Sequence, residues 1–243
     1  IYTLSLHDAL PILASIDDLP SVTEYQQVLD RNNSYDSYFH ENSHTLHLNL
    51  GYKFNEASYG QIWTLLNGDI KLHQQHLDYQ RGIIDTTICR TAFTINMDDN
   101  TFLDFKGGHQ LSITMGIHTK LPDLENRVNL RDNTDPMNIR LGNPELRMAV
   151  TPDVGAYFKY KMKRGWQRIQ WAYHRTFNAI AMGYVYDTKT GVRTYRPDNV
   201  NGNWIFDASY SLHLDFGEGK KRNLDVPLNY SYSQNVDLVG TTV

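Results

Sequence analysis

Apolar and polar residues alternate with a period of two along most of the chain after residue 43. Successive side chains of a β-strand point to opposite faces, so this period predicts strands with one apolar and one polar face. The clearest case is 203–216, whose apolar positions are Trp204, Phe206, Ala208, Tyr210, Leu212, Leu214 and Phe216. Only Ile205 breaks the polar row between them.

The same pattern predicts eight strands, at 43–54, 59–73, 87–106, 109–118, 146–162, 165–178, 200–216 and 221–235. Most have ten residues or more, whereas strands of soluble proteins typically have about five or six. A tilted strand that crosses a bilayer needs roughly 9–11 residues. The polar run Asp98-Asp99-Asn100 interrupts the third strand and predicts a bulge or a turn there.

Short and long connections alternate between these strands. The short ones are 55–58, 107–108, 163–164 and 217–220, and the long polar ones are 74–86, 119–145 and 179–199. Transmembrane barrels have short periplasmic turns and long extracellular loops, and this sorting of loop lengths matches them. The fold class expected is therefore all-β, an antiparallel transmembrane β-barrel fragment with about eight long strands in a curved open sheet. Ser21 and Glu24 have capping-box spacing, which predicts a short helix over 21–32 in an exposed N-terminal loop.

Composition narrows the function classes. The formal net charge of −4 argues against nucleic acid as a partner, because such proteins usually carry a basic stripe. With Cys89 as the one cysteine, no disulfide within the chain can form. No apolar run approaches the length of a transmembrane helix.

Residues 1–12 resemble the translated read-through of a sequencing adapter, and they are left out of the fold prediction. The expected organisation is this non-native segment, then an exposed loop with a short helix over 13–42, and then a partial outer-membrane barrel domain over 43–243. The adapter-like start implies that the chain was cut short, and it is expected to be a fragment.

No catalytic, cofactor-binding or metal site is predicted. His73 and His76 have i, i+3 spacing, and His40, His44 and His47 cluster, but exposed loop histidines explain both groups better than metal binding does. Cys89 has no base near it in the sequence to activate it as a nucleophile. Nucleophile-elbow, P-loop and dinucleotide-binding patterns do not occur.

The apolar face predicts contact with lipid. Its expected lipid-facing residues are Leu46, Leu48, Leu50, Phe158, Phe206, Leu212, Leu214, Leu224 and Leu228. The aromatic residues Trp166, Trp171, Tyr173, Trp204, Tyr210, Tyr230 and Tyr232 fit either a membrane girdle or the core of a sandwich. Loop alternation favours the girdle.

Two segments resemble the outer-membrane β-barrel family of TonB-dependent receptors from Gram-negative bacteria. The first runs from Leu121-Pro122-Asp123-Leu124 through Asp132-Asn133-Thr134-Asp135-Pro136 to Leu141-Gly142-Asn143-Pro144-Glu145-Leu146. The second is Asp187-Thr188-Lys189-Thr190-Gly191, followed by Pro197-Asp198-Asn199-Val200-Asn201-Gly202-Asn203-Trp204. The family motif residues in this chain are Gly142, Asn143, Pro144, Asn199, Asn201, Gly202 and Trp204. Arg147-Met148-Ala149 stand where the family usually continues with a polar run.

The resemblance implies a barrel of about twenty-two strands around a plug domain. It implies uptake of an unidentified solute without catalysis, with a location in the cell outer membrane. The implied partners are outer-membrane lipid, the remainder of the barrel, the plug domain and the TonB energy-coupling system. The expected solute or plug contacts are the long-loop residues Asp132, Asn133, Asp135, Arg140, Asp187, Lys189, Arg193 and Arg196.

Two other readings remain open from the sequence. One is a secreted, β-rich binding protein with a sandwich-like fold that binds carbohydrate. The other is a barrel enzyme such as an outer-membrane lipase, for which no serine and histidine constellation is visible.

Overall fold

The computed structural model describes residues 35–54, 60–82, 84–132, 135–217 and 222–242. Eight strands form one antiparallel sheet in the order β1-β2-β3-β4-β7-β8-β11-β12. Their bounds are β1 Tyr35–Lys53, β2 Gly60–Arg81, β3 Ile84–Phe105, β4 Gln110–Lys120, β7 Ala149–Met162, β8 Gly165–Thr176, β11 Asn203–Phe216 and β12 Arg222–Gln234. Strands of this sheet that follow one another along the chain are also adjacent in the sheet, as in an up-and-down barrel.

The predicted open antiparallel sheet of eight strands is confirmed, although β1 begins at Tyr35 and not at residue 43. Within the described residues, β1 pairs with β2 alone and β12 with β11 alone. The predicted long polar segment 74–86 is wrong, because this stretch continues β2, turns at Gly82 and begins β3. Here β2 and β3, with β1 paired along β2, extend beyond the end of β4. The predicted helix at 21–32 lies outside the described residues.

Asp98-Asp99-Asn100 forms neither the bulge nor the turn that its polarity predicts. These three residues pair with Asn67, Leu66 and Leu65 of β2, and the same register holds along the whole β2–β3 ladder. A bulge would shift the register by one residue.

The register assigns the residues of the large sheet to two faces. Directly paired residues share a face, so the alternation can be followed across all eight strands. We call the apolar face the one that carries Leu46, Met115, Phe158, Ile169, Leu212 and Leu228, and the polar face its opposite. All nine residues predicted to face lipid lie on the apolar face. Asp153, Lys159, Ser209, His213, Asp225 and Ser231 lie on the polar face.

One aromatic residue departs from the predicted girdle. Trp166 pairs with His213 and Lys161, which places it on the polar face. Its ring stacks on His213 with a centroid distance of 5.7 Å. The other six aromatic residues named for the girdle lie on the apolar face.

The long connections 119–145 and 179–199, together with β13 after the last strand of the large sheet, form a second sheet, which we call the loop sheet. Its strands are β5 Arg131–Asp132, β6 Asn138–Leu141, β9 Ala179–Asp187, β10 Arg193–Val200 and β13 Val239–Thr242, in the order β13-β9-β10-β6-β5. The two sheets do not pack face to face, so the described residues do not form a sandwich. No helix among the described residues is long and apolar enough to cross a membrane.

The two long connections 119–145 and 179–199 lie at the same end of the large sheet, as predicted, whereas the third connection at that end, between β2 and β3, is short. Strands β1, β3, β7 and β11 end at the opposite end of the sheet, which we call the short end. The β2–β3 turn and the loop sheet belong to the other end, the long end. There β3 residues 84–95 pair with β2 beyond the ladder that β3 forms with β4, a projection of about 40 Å at ~3.4 Å per residue.

The polar face of this projecting hairpin carries the buried cluster of the structure. Leu77 and Tyr79 of β2 pack with Leu124 and Val128 from the segment after β4. Leu77 is fully buried, and Val128 is 1% exposed. The hairpin is thus held by a folded loop packed against one of its faces.

We expect Leu77→Ala to destabilise this attachment by about 2–5 kcal/mol, the usual cost of a large-to-small change in a core. Hydrogen exchange of the 84–95 amides in the folded protein should accelerate accordingly. Leu46→Ala is the matched control, because Leu46 is 58% exposed. Equal exchange in the two variants would contradict the assignment of this cluster as the anchor of the hairpin.

Candidate functional site

Polar side chains on the polar face are joined across strands rather than left singly in solvent. At the long end, His73 Nδ1 lies 2.7 Å from Glu41 Oε1 and its Nε2 lies 2.8 Å from Thr94 Oγ1, which links β1, β2 and β3. The Gln75 amide donates to Glu41 Oε2 at 3.1 Å, and the Arg90 guanidinium donates to Gln75. The polar face is therefore an ordered hydrogen-bonded surface.

A second network crosses the short end. Trp63 Nε1 and the Gln110 amide donate to the two oxygens of Asp104 at 2.9 and 2.6 Å. The Tyr157 hydroxyl donates to Gln110 at 2.6 Å, and the Arg168 guanidinium lies 4.0 Å from the centre of the Tyr157 ring. This network spans five strands, and it brings aromatic and charged groups together on the polar face.

The histidine groups considered in the sequence are divided by the sheet. His73 and His76 lie on opposite faces, because an odd spacing on a strand reverses the side chain. His47 Nδ1 lies 2.6 Å from Asp69 Oδ1 on the polar face. His40 pairs with His76 on the apolar side of the projecting hairpin, and His44 pairs with Leu72.

Cys89 has a base beside it, contrary to the sequence-based expectation. Its Sγ lies 3.2 Å from His76 Nδ1, and His76 Nε2 lies 3.0 Å from Asp78 Oδ2. The Thr87 hydroxyl donates to the other oxygen of Asp78 at 2.7 Å. The Cys89 thiol, the His76 imidazole and the Asp78 carboxylate are thus connected in a row by hydrogen bonds. All three side chains are exposed at the surface of the hairpin. Cross-strand pairing of His76 with Cys89 produced this contact, and sequence spacing gave no sign of it.

A further cluster on the polar face was missed entirely by sequence reasoning. Asp98 of β3, His118 of β4 and Asp153 of β7 have ligand-type atoms that all lie within 4.8 Å of one another. His118 Nε2 lies 3.3 Å from Asp98 Oδ1 and 3.2 Å from Asp153 Oδ1. The three residues are distant in sequence, and only the strand register brings them together.

The carboxylates predicted to contact a solute are engaged inside the loops. Asp132 accepts a hydrogen bond from Arg81 at 2.7 Å. Hydrogen bonds from the Asn138 amide and the Met137 backbone lower the pKa of Asp135 below its usual value. In the same way, the Thr190 hydroxyl and the Lys189 backbone lower the pKa of Asp187.

Asp135 and Asp187 each accept from residues two and three positions on, which is the geometry of an Asx turn. The structure thus gives these carboxylates turn-forming contacts, while their contact with a solute stays a prediction.

The predicted cationic contacts are exposed on the loop sheet. Arg140, Lys189, Arg193 and Arg196 are all exposed. Arg140 of β6 and Arg193 of β10 share a face, because β6 and β10 pair in parallel with Asn138 beside Arg193 and Arg140 beside Tyr195. Arg196 lies on the opposite face of β10. Asn133 lies outside the described residues.

Asn143 joins the two long loops, while its neighbours Gly142 and Pro144 make contacts within the first of them. A Cβ on Gly142 would lie 1.7 Å from the Val128 carbonyl oxygen, so only glycine fits there. Asn143 is 2% exposed and donates from Nδ2 to the Pro197 carbonyl at 3.0 Å. The Pro144 carbonyl accepts two hydrogen bonds from the Arg127 guanidinium at 3.0 and 2.7 Å.

Asn199, Asn201 and Gly202 form the boundary between the large sheet and the loop sheet. The Asn199 side chain accepts from Arg147 N at 2.7 Å and donates to the Arg147 and Asn178 carbonyls at 3.1 and 2.8 Å. Asn201 Oδ1 accepts from Asn178 N at 2.9 Å. Asn178 and Gly202 have φ of 52° and 116°, left-handed values that asparagine and glycine tolerate best. These contacts bend the chain where β8 passes into β9 and β10 into β11.

Trp204 has a different environment from the other motif residues. It lies on the apolar face between Tyr173 and Tyr232, at ring-centroid distances of 5.9 and 5.3 Å. Its Nε1 donates to Gln234 Oε1 at 3.1 Å. An apolar ring with a satisfied polar edge suits the boundary between lipid and water.

We expect Asn199→Ala to release the 126–147 loop, because two backbone carbonyls and one amide lose their partner, at a net cost of roughly 0.5–1.5 kcal/mol for each hydrogen bond. Limited proteolysis of the folded protein should then cut after Arg127 or Arg147 faster than in the parent. Asn229→Ala on exposed β12 should leave the cleavage rate unchanged. Unchanged cleavage in Asn199→Ala would show that these hydrogen bonds do not hold the loop.

Neither a protein-family model nor a curated protein sequence matches this chain. Solved structures do resemble it, among them two outer-membrane proteins. The siderophore receptor PirA from Pseudomonas aeruginosa matches with a TM-score of 0.50 and 12% identity, over 82% of this chain and 43% of the receptor. The copper transporter OprC matches with a TM-score of 0.45 and 9% identity, over 83% of this chain and 39% of the transporter. The chain thus spans less than half the length of each. It has the fold of part of a receptor barrel, as an open antiparallel sheet, which confirms the predicted fold class.

Proposed function

We propose that this chain forms part of an outer-membrane β-barrel of the TonB-dependent receptor type, which takes up a solute without catalysing a reaction. The apolar face contacts lipid, and the polar face lines the interior against a plug domain. Further strands of the same barrel pair with β1 and β12. The TonB energy-coupling system drives release of the solute. The likeness to a siderophore receptor supports the receptor class, and it leaves the identity of the solute open.

The exposed apolar face is the observation that carries this proposal. Large apolar side chains are exposed on it along seven of its eight strands, namely Leu46, Leu50, Tyr52, Phe93, Ile95, Met115, Ile117, Phe158, Tyr160, Ile169, Trp171, Phe216, Leu224, Leu228, Tyr230 and Tyr232. Apolar patches on soluble monomers rarely exceed a few hundred Å². A bilayer removes this cost, because its hydrocarbon replaces water over the whole face.

The spacing of aromatic residues along the strands supports the same conclusion. Trp204 and Phe216 lie at opposite ends of β11 on the apolar face, twelve residues apart. Twelve residues span about 41 Å along a strand, which a tilt of about 40° reduces to roughly 31 Å along the membrane normal. The hydrocarbon core of a bilayer is about 30 Å thick.

The long end faces the cell exterior in this proposal, because short turns characterise the periplasmic side of such barrels. The projecting β2–β3 hairpin and the loop sheet then stand outside the membrane. Their exposed cations, among them Arg140 and Arg193, are placed to meet a solute before it enters. Rigid strands allow such loops to vary without loss of the sheet.

A charge on the apolar face tests the membrane assignment. Leu212→Arg should destabilise the barrel in lipid by roughly 2–4 kcal/mol, since the cation would face hydrocarbon near the bilayer midplane. His213→Arg is the matched control, as it places the same side chain on the polar face one residue away. Urea unfolding in lipid vesicles compares the two. Equal losses would favour the alternative, a secreted β-rich binding protein.

Protease digestion of intact cells tests the orientation. Trypsin should cut first in the long-end segments, for example after Lys189 in the exposed β9–β10 turn. The short turn at Lys163-Arg164 should be cut only after the outer membrane is opened, because it lies on the periplasmic side. First cleavage at the short turn in intact cells would overturn both the orientation and the membrane assignment.

A further inference from the structure

Asp98, Gly116 and Asp153 form one row across three strands of the polar face. Asp98 of β3 pairs directly with Gly116 of β4, and Gly116 pairs directly with Asp153 of β7. His118 lies two residues beyond Gly116 on the same face. The register therefore places two carboxylates on either side of a glycine and an imidazole above it.

Gly116 leaves the space in which the two carboxylates meet. A Cβ at this position would lie 2.5 Å from Asp153 Oδ1 and 2.8 Å from Asp98 Oδ1. Real Cβ atoms do not approach oxygen so closely, so any larger residue would push the carboxylates apart. The absent side chain creates a cradle lined by oxygen atoms.

Asp153 Oδ1 is buried, and it accepts no hydrogen bond from the described part of the chain. Its side chain is 14% exposed, whereas those of Asp98 and His118 are 51% and 43% exposed. An ionised oxygen held out of water without a hydrogen bond is costly. A cation in the cradle would remove that cost, and the exposed side of the cluster gives it a way in.

The separations between His118 and the two carboxylates are compatible with a shared metal ion. Two ligands at about 2.0–2.1 Å from a tetrahedral zinc ion lie about 3.3–3.4 Å apart. His118 Nε2 lies 3.3 Å from one carboxylate oxygen and 3.2 Å from the other. One imidazole and two carboxylates are a donor set that borderline divalent ions such as Zn²⁺ accept.

We propose that Asp98, His118 and Asp153 bind a divalent transition-metal ion of the zinc class on the polar face near the long end. The fourth position is left for water or for a donor group of another segment or ligand. This site joins β3, β4 and β7 across their ladders. The site follows from the pairing of these three strands and does not require the proposed uptake function.

The test uses the complete barrel that contains this chain, purified in detergent and stripped of metal. Titration with Zn²⁺ by calorimetry, and with Co²⁺ followed by its visible absorption, should give one binding event that His118→Ala and Asp153→Asn each weaken by roughly 10–100-fold or more. His47→Ala is the matched control, because His47 lies on the same face beside a single carboxylate, Asp69. It should leave this binding event unchanged.

Gly116→Ala gives a second test that keeps every ligand in place. The added methyl group should separate the carboxylates and weaken Zn²⁺ binding, while circular dichroism and trypsin resistance in detergent report that the barrel is folded. The proposal is overturned if the parent protein binds no zinc, or if His118→Ala binds zinc as tightly as the parent does. It is also overturned if folded Gly116→Ala binds zinc as tightly as the parent does. Loss of uptake in cells with intact zinc binding would bear on the uptake function alone.

Discussion

The unbroken antiparallel register of the eight-stranded sheet is the constraint on which every other feature depends. Each ladder keeps one pairing offset over its whole length, including the 22 residues of β2 paired with the 22 of β3. A slip of one residue would exchange the two faces of a strand. The exposed apolar face, the hydrogen-bonded polar face and the Asp98–Gly116–Asp153 row all follow from this offset.

The large sheet could be predicted because alternation is a local signal. In each strand that contributes to the apolar face, the alternation of apolar and polar residues indicates which side chains share a face, as 203–216 illustrates. The alternation ends where the projecting hairpin begins. Around Gln74 and Thr91 the apolar face becomes polar, so 74–86 has the pattern of a loop, although Leu77 and Tyr79 on the other face pack against the segment after β4. The hairpin lies beyond the part of the sheet that has a continuous apolar face. Its polar residues therefore reflect different surroundings, while the pairing of β2 with β3 continues without a break.

The loops and the metal-type cluster could not be predicted, since both depend on contacts between distant segments. Nothing near Asn143 in the sequence indicates that its amide will meet the Pro197 carbonyl, 54 residues away. The polar run that contains Asp98 predicts a bulge or a turn, and its partners Gly116 and Asp153 are identified only when three strands are aligned. The family resemblance names Asn143 and Asn199 as motif residues, but it does not predict that their side chains brace the loops.

This bracing changes where selectivity for a solute should be sought. Asp132, Asp135 and Asp187 are bound to Arg81 or to their own turns, and Asn143 and Asn199 hold one loop against the other. Residues with such contacts have little freedom to change without loss of the loop fold. The exposed cations on the loop sheet have that freedom, because their backbone is fixed by strand pairing while their side chains reach solvent. Under the proposed function, the braced residues provide the scaffold, and the exposed arginine and lysine side chains are the positions at which different solutes would be distinguished.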